Sequence, residues 1–181
     1  MESVVDRVAE ERFVALLETV LEPVRRYVAR RAPAALADDV VADVLLVLWR
    51  RRSDVPADDP LPWTYGVAKG CLANAERGAR RQRRVAGRIA AVDPPGPVPG
   101  PEPVGDPELA MALAALRPGE AEVLRLWAWE DLRPAEIATV LGITPNAASI
   151  RLHRAKRSLA DRLGQDAPGS GQEGRGRRGP P

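Results

Sequence analysis

Apolar positions recur along this chain at spacings of three and four. Phe13, Leu16, Leu17, Val20, Val24, Tyr27 and Val28 form one stripe and predict a helix from about Val8 to Arg31. Pro23 interrupts it, removing one backbone hydrogen bond and predicting a kink or a division in two. After a loop around Pro33, Leu36, Val40, Val41, Val44, Leu45 and Leu48 predict a second helix ending near Arg52, with Asp38, Asp39 and Asp43 off its apolar seam. A polar loop with two prolines spans Ser53 to Pro60. A third helix then starts near Leu61 or Pro62. It carries Trp63, Tyr65, Val67, Ala68, Cys71, Leu72 and Ala75 and passes into an arginine-dense end at Arg77, Arg80, Arg81, Arg83, Arg84 and Arg88.

From Asp93 to Pro107, seven of fifteen residues are proline and three are glycine, so this stretch cannot form a core. It reads as a semi-extended linker, reaching up to about 45 Å at ~3.1 Å per residue in polyproline II. Leu109, Leu113 and Leu116 then predict a short helix, and Val123, Leu124, Leu126 and Trp127 another. From Asp131 to Leu163 comes the most informative stretch. Pro134 fits the first position of a helix with Ile137, Val140 and Leu141 on one side, and Gly142 ends it. Thr144 can cap and Pro145 can open a second helix, in which Ala148, Leu152, Ala155 and Leu159 form a narrow apolar seam. Small Ala138 lets the two helices approach. The tail after Gln165 is rich in Gly, Pro and Arg and is expected to be disordered.

Composition fits helices. Aromatics are only 4% of the 181 residues, so any core is built from Leu, Val, Ile and Ala. The formal net charge of +2 hides segregation, with acids concentrated before residue 60 and arginines at 77–88, 151–162 and the tail. One cysteine, Cys71, excludes an internal disulfide and a cysteine-based zinc cluster, and reads as core filler in a reducing compartment. No signal peptide is apparent at the N-terminus, and the longest apolar run, Val44 to Trp49, is too short to span a bilayer. A cytoplasmic protein with no cofactor and no metal site is expected.

Two constellations carry chemistry. Helix, short glycine turn and second helix make a helix-turn-helix, whose second helix suits a DNA major groove. Asn146, Ser149, Ile150, Arg151, His153, Arg154, Lys156 and Arg157 all fall outside its apolar seam. The third helix sets Trp63 and Tyr65 beside cations, a combination that suits single-stranded nucleic acid, where bases stack on rings and cations follow the backbone.

In this order, the pieces resemble the extracytoplasmic-function group of the sigma-70 family of bacterial RNA polymerase sigma factors. ALADDVVADVLLVLWR is similar to the family's region 2.2, LPWTYGVAKGCLANAERGARR to regions 2.3 and 2.4, and ALAALRPGEAEVLRLWAWEDLRPAEIATVLGITPNAASIRLHRAKRSL to region 4. The resemblance implies an all-α fold of two small helical domains joined by a Pro-rich linker. A three-helix region 2 domain would occupy residues 1–90, the linker 91–107, a region 4 helix-turn-helix domain 108–164 and the tail 165–181. It implies a promoter-recognition subunit without an active site. Asp39 and Asp43 would dock on the clamp helices of the largest polymerase subunit. Trp63, Tyr65, Lys69, Asn74, Arg77, Arg80 and Arg81 would lie near the non-template strand of the minus-ten element. The second helix of region 4 would enter the minus-thirty-five groove, and region 4 would also meet the flap of the second-largest subunit. An anti-sigma factor is a further implied partner.

The sequence departs from the family pattern at Ala42, Val47 and Gly70 in region 2, and at Asn146-Ala147, Ser149-Ile150 and Arg133 in region 4. Asn can bond adenine bidentately and an apolar side chain can meet a thymine methyl, so altered minus-thirty-five specificity is expected. Arg151, Arg154, Lys156 and Arg157 are then mainly phosphate contacts. Other readings stay open: a stand-alone transcriptional regulator, a polymerase-binding protein that has lost promoter function, or an enzyme with Asp38, Asp39 and Asp43 on Mg²⁺.

Overall fold

A computed structural model describes residues 2–89 and 107–165, with side chains for 7–84 and 107–164. The expected linker, apart from Pro107, and the tail after Gln165 lie outside the described residues. The described residues form seven helices and no strand, in keeping with the expected all-α class. These are α1 Glu2–Ala29, α2 Ala34–Arg50, α3 Pro60–Ile89, α4 Pro107–Ala114, α5 Pro118–Trp129, α6 Pro134–Leu141 and α7 Pro145–Gln165. Five of the seven begin at a proline, whose fixed φ suits the first turn and whose missing N–H costs nothing there.

Pro23 does not divide α1, which runs unbroken to Ala29. Packing explains this. Val20, Val24, Tyr27 and Val28, on both sides of the proline, are wholly buried. Each such side chain contributes about 1.5–3 kcal/mol on burial, so together they outweigh the ~3 kcal/mol cost of an internal proline. In α2, Val40, Val41, Val44 and Leu48 turn inward as their spacing predicts, and α3 closes this first half with Tyr65, Ala68, Cys71 and Leu72. Cys71 is core filler. Burial, and then the nearby negative charge of Asp43, push its thiol pKa up.

In the second half, α7 lies across α4, α5 and α6. Its inward residues Ala148, Leu152 and Ala155 meet a core that includes Leu124, Leu126, Ile137 and Ala138. Trp127, expected in that core, is instead 42% exposed. Asp131 takes a left-handed φ of 54° between α5 and α6, and the Leu132 N–H reaches back to donate to the Leu126 carbonyl at 3.2 Å.

The two halves share one continuous core, because α3 packs on α6. Gly66 makes room for this approach: a Cβ there would lie 3.7 Å from the Val140 carbonyl oxygen, in ordinary contact but with little space for anything larger. Charges close the other end of the seam. Arg31 at the end of α1 donates to Glu130 at 2.9 Å and to Glu122 at 3.4 Å, while Arg30 donates to Glu130 at 3.1 Å and to the Trp129 carbonyl at 3.2 Å.

Candidate nucleic-acid interface

The helix-turn-helix is built from local signals. Gly142 ends α6 in the left-handed conformation, φ 63° and ψ 39°, which glycine adopts without a Cβ penalty. The Ile143 N–H then bonds back to the Ala138 carbonyl at 3.1 Å, satisfying a helix-end acceptor. Thr144 caps α7, its hydroxyl oxygen accepting from the Ala147 N–H at 3.2 Å. At the start of α6, Arg133 stands where a hydroxyl residue is usual, and Glu136 supplies the missing cap. Its carboxylate accepts the Arg133 backbone N–H at 2.6 Å and also pairs with the Arg133 guanidinium. The hydrogen bond from the Arg133 side chain holds the Glu136 pKa below the usual carboxylate range.

With Ala148, Leu152 and Ala155 buried, Asn146, Ser149, Ile150, Arg151, His153, Arg154, Lys156 and Arg157 are all exposed. Helical periodicity puts Asn146, Ile150, His153 and Arg157 opposite the buried stripe, with the others flanking. Two of the eight are engaged within the protein. The Ser149 hydroxyl donates to the Pro145 carbonyl at 3.0 Å. The Lys156 ammonium sits 3.4 Å from the centre of the Trp127 ring, a cation–π contact of about 0.5–1 kcal/mol at an exposed site. The fit of Trp127 to Lys156 depends on how α5 and α7 cross, and helical spacing within α5 does not reveal it.

In α3 the predicted residues divide. Lys69, Asn74, Arg77, Arg80 and Arg81 are exposed. Spacing gathers Trp63, Asn74, Arg77 and Arg81 on one side of the helix and leaves Lys69 and Arg80 on a flank. The Arg77 guanidinium bonds the Asn74 side chain, and Arg80 pairs with Glu76 at 3.2 Å. Trp63 is half-buried, with the Arg51 guanidinium 5.1 Å from its ring centre. Tyr65 is not at the surface. It is 4% exposed and stacks on Tyr27 with ring centres 4.9 Å apart. Its place follows from periodicity, since Tyr65, Ala68 and Leu72 are three and four apart and share the inward stripe.

Asp39 and Asp43, one turn apart on α2, are exposed and form no ion pair among the described residues. Among the described residues no three His, Cys, Asp or Glu side chains are grouped to hold a metal ion, and no helix is long and apolar enough to cross a membrane.

The family model for sigma-70 region 4 matches residues 107–159, which span α4 to most of α7. RNA polymerase sigma factor CarQ of Myxococcus xanthus is 31% identical over 164 residues, covering 87% of this chain and 92% of CarQ. The chain belongs to the extracytoplasmic-function group of RNA polymerase sigma factors. Another relative, the ECF RNA polymerase sigma factor SigL of Mycobacterium tuberculosis, is 31% identical over 140 residues, 74% of this chain and 78% of SigL. Solved structures agree on the fold. CnrH, solved in complex with the cytosolic domain of CnrY, aligns with a TM-score of 0.57 at 24% identity over 86% of this chain and 89% of CnrH. The PhyRSL–NepR complex from Sphingomonas sp. Fr1 gives 0.59 at 19% identity over 88% of this chain and 96% of the matched chain.

As an extracytoplasmic-function sigma factor, the chain directs promoter recognition and transcription initiation. Helices α6 and α7 are the helix-turn-helix of its region 4, and α1–α3 are the part that resembles region 2. Sequence reasoning missed the charged group of Arg30, Arg31, Glu122 and Glu130. Its members lie on or just beyond α1 and α5, about a hundred residues apart, and each alone is an ordinary charge with no local signal.

Proposed function

We propose that this sigma factor divides promoter contact between its two halves. Helix α7 enters the duplex major groove of the minus-thirty-five element, with Asn146, Ser149, Ile150 and His153 toward base edges and Arg151, Arg154, Lys156 and Arg157 toward phosphates. The open side of α3, with Trp63, Lys69, Asn74, Arg77, Arg80 and Arg81, follows the non-template strand of the minus-ten element. Asp39 and Asp43 dock on the clamp helices of the largest polymerase subunit, and region 4 meets the flap of the second-largest. The protein acts in the cytoplasm as a binding subunit and carries no catalysis of its own. An anti-sigma factor holds it in check, a reading supported by solved relatives captured with such partners.

The observation that carries this reading is α7 itself: a capped helix whose buried stripe is wholly apolar and whose remaining surface presents all eight predicted DNA-contacting side chains. The test is in vitro transcription with core polymerase on a genomic promoter library, with start points mapped. New start points that appear only when both core and this chain are present are expected. Tight binding to duplex promoter without core would support a stand-alone regulator instead, and retention by core without new start points would support a polymerase-binding protein that has lost promoter function.

A further inference from the structure

Among the described residues, Trp63 is the only aromatic ring on the open side of α3, and a cation already rests on it. Part of the ring packs against the core, and the Arg51 guanidinium stands 5.1 Å from its centre. The backbone of Arg51 is fixed on both sides. Its N–H donates to the Val47 carbonyl at 2.9 Å, ending α2, and its own carbonyl accepts from the Asp54 N–H at 2.8 Å. The side chain is held far less firmly. It remains 55% exposed, and its ion-pair partner is Asp54, itself 49% exposed, at 2.9 Å from Nε. Exposed ion pairs contribute little, and so does a cation resting on an exposed ring. A nucleic-acid base stacked on such a ring gains more than the cation does.

We infer that Arg51 is a positioning residue for strand capture: it holds the Trp63 ring set for a base, yields the ring when an unstacked base arrives, and passes to a phosphate of the captured strand. The inference rests on the proposed assignment of α3 to that strand. The guanidinium is matched at each stage. Before capture it meets the electron-rich face of the ring, and after it a phosphate, to which its planar fork donates two parallel hydrogen bonds. The next residue offers a comparison within the same turn. Arg52 lies 4.6 Å from the Trp49 ring centre, but its guanidinium also donates to the Trp49 carbonyl at 3.0 Å, and that ring meets Phe13 edge-on at 5.0 Å. Arg52 therefore closes the end of its own helix, whereas Arg51 reaches from α2 to a ring of α3 that is assigned to DNA.

Holoenzyme assembled from core polymerase and the full chain is bound to a promoter fragment pre-melted across the minus-ten segment, with 2-aminopurine in the non-template strand. Quenching of the probe reads stacking, and affinity is followed over a salt series. Wild type is compared with Arg51→Ala, Arg51→Lys, Trp63→Ala and a control, Arg52→Ala. Trp63→Ala is expected to abolish most of the quenching. Arg51→Ala is expected to bind several-fold more weakly, to quench less at saturation, and to unfold at the wild-type urea midpoint. Its slope of log affinity against log salt is expected to fall by about 0.7, the value for one phosphate on a single strand. Arg51→Lys is expected to keep the slope but recover only part of the affinity, because an ammonium meets phosphate as a point charge without the planar fork. Arg52→Ala is expected to match wild type. If Trp63→Ala abolishes quenching while Arg51→Ala leaves either the slope or the quenching unchanged, the role of Arg51 is overturned and the strand assignment stands. A slope lowered equally by Arg52→Ala shows a general effect of charge and overturns that role too. A lowered urea midpoint with an unchanged slope assigns Arg51 to packing alone and does the same. Quenching that survives Trp63→Ala overturns the strand assignment and this inference with it.

Discussion

The ammonium of Lys156 rests 3.4 Å from the centre of the Trp127 ring, so one of the four basic residues assigned to phosphates on α7 is already held by α5. Arg154, exposed on the same helix, makes no hydrogen bond or ion pair among the described residues. The two therefore differ in what DNA gains from them. In holoenzyme binding to duplex promoter, Arg154→Ala is expected to lower the slope of log affinity against log salt by about 0.9, the value for one phosphate neutralised. Lys156→Ala is expected to lower it by clearly less, and Trp127→Ala to leave the slope unchanged or raise it. A full unit lost with Lys156→Ala would show that the ring does not hold the cation back.

Gly142 offers a stability test free of packing. A Cβ there would meet nothing within 4 Å, so any penalty for a larger residue comes from its positive φ alone. Gly142→Ala is expected to cost about 1–2 kcal/mol in urea unfolding, and Gly142→Asn less, because Asn tolerates the left-handed region. Equal losses for the two would point to contacts instead of backbone conformation.

Asp43 is exposed on α2 and forms no ion pair among the described residues, so reversing its charge removes nothing from the core. Asp43→Arg is expected to cut retention by core polymerase at least tenfold while unfolding at the wild-type urea midpoint. Normal retention would remove this carboxylate from the docking surface.

The chain has two tyrosines, and both are buried with their rings stacked. Burial is the main cause that pushes the Tyr65 pKa up to about 12, and burial raises that of Tyr27 further still. A spectrophotometric titration of the folded chain is expected to show no tyrosinate step at pH 10. The sign follows from linkage: the native state keeps its phenolic protons after the unfolded chain has lost them. Stability is therefore undiminished below pH 10 and falls as the pH rises from 10 through about 12. A step at pH 10 in a cooperatively folded sample would mean that the tyrosines are not covered.

Trp63 lies on the same side of α3 as Asn74, Arg77 and Arg81, half-buried beneath Arg51. Trp63→Ala is expected to reduce initiation about tenfold more on duplex promoters than on pre-melted templates, and Trp63→Phe to restore most of the difference. Equal loss on both templates would assign the ring to packing alone.

The sequence makes local geometry legible and leaves long-range geometry hidden. The α6–turn–α7 unit could be read because Pro134, Gly142, Thr144 and Pro145 each act on the backbone within a few residues of themselves. The outward face of α7 followed from one periodic stripe. Reading Pro23 in isolation predicted a kink or break, because the packing that keeps α1 continuous comes from α2 and α3. Proximity to cations groups Tyr65 with Trp63 in the sequence, although its register with Ala68 and Leu72 marks it as inward. The pairing of Arg31 with Glu130 had no counterpart in any sequence window, since it exists only once α1 and α5 have met.

Among the described residues, none of the ion pairs that join the two halves uses a side chain of α7. The helix proposed to read the promoter and the charged group that joins the halves are therefore separable parts. On the proposed assignment, Asn146, Ser149 and Ile150 can be exchanged to retarget the protein to a synthetic operator without disturbing the contact between the halves. Conversely, Glu130 can be varied to change how firmly the two halves hold together without touching the outward side chains of α7, which gives engineering two independent handles.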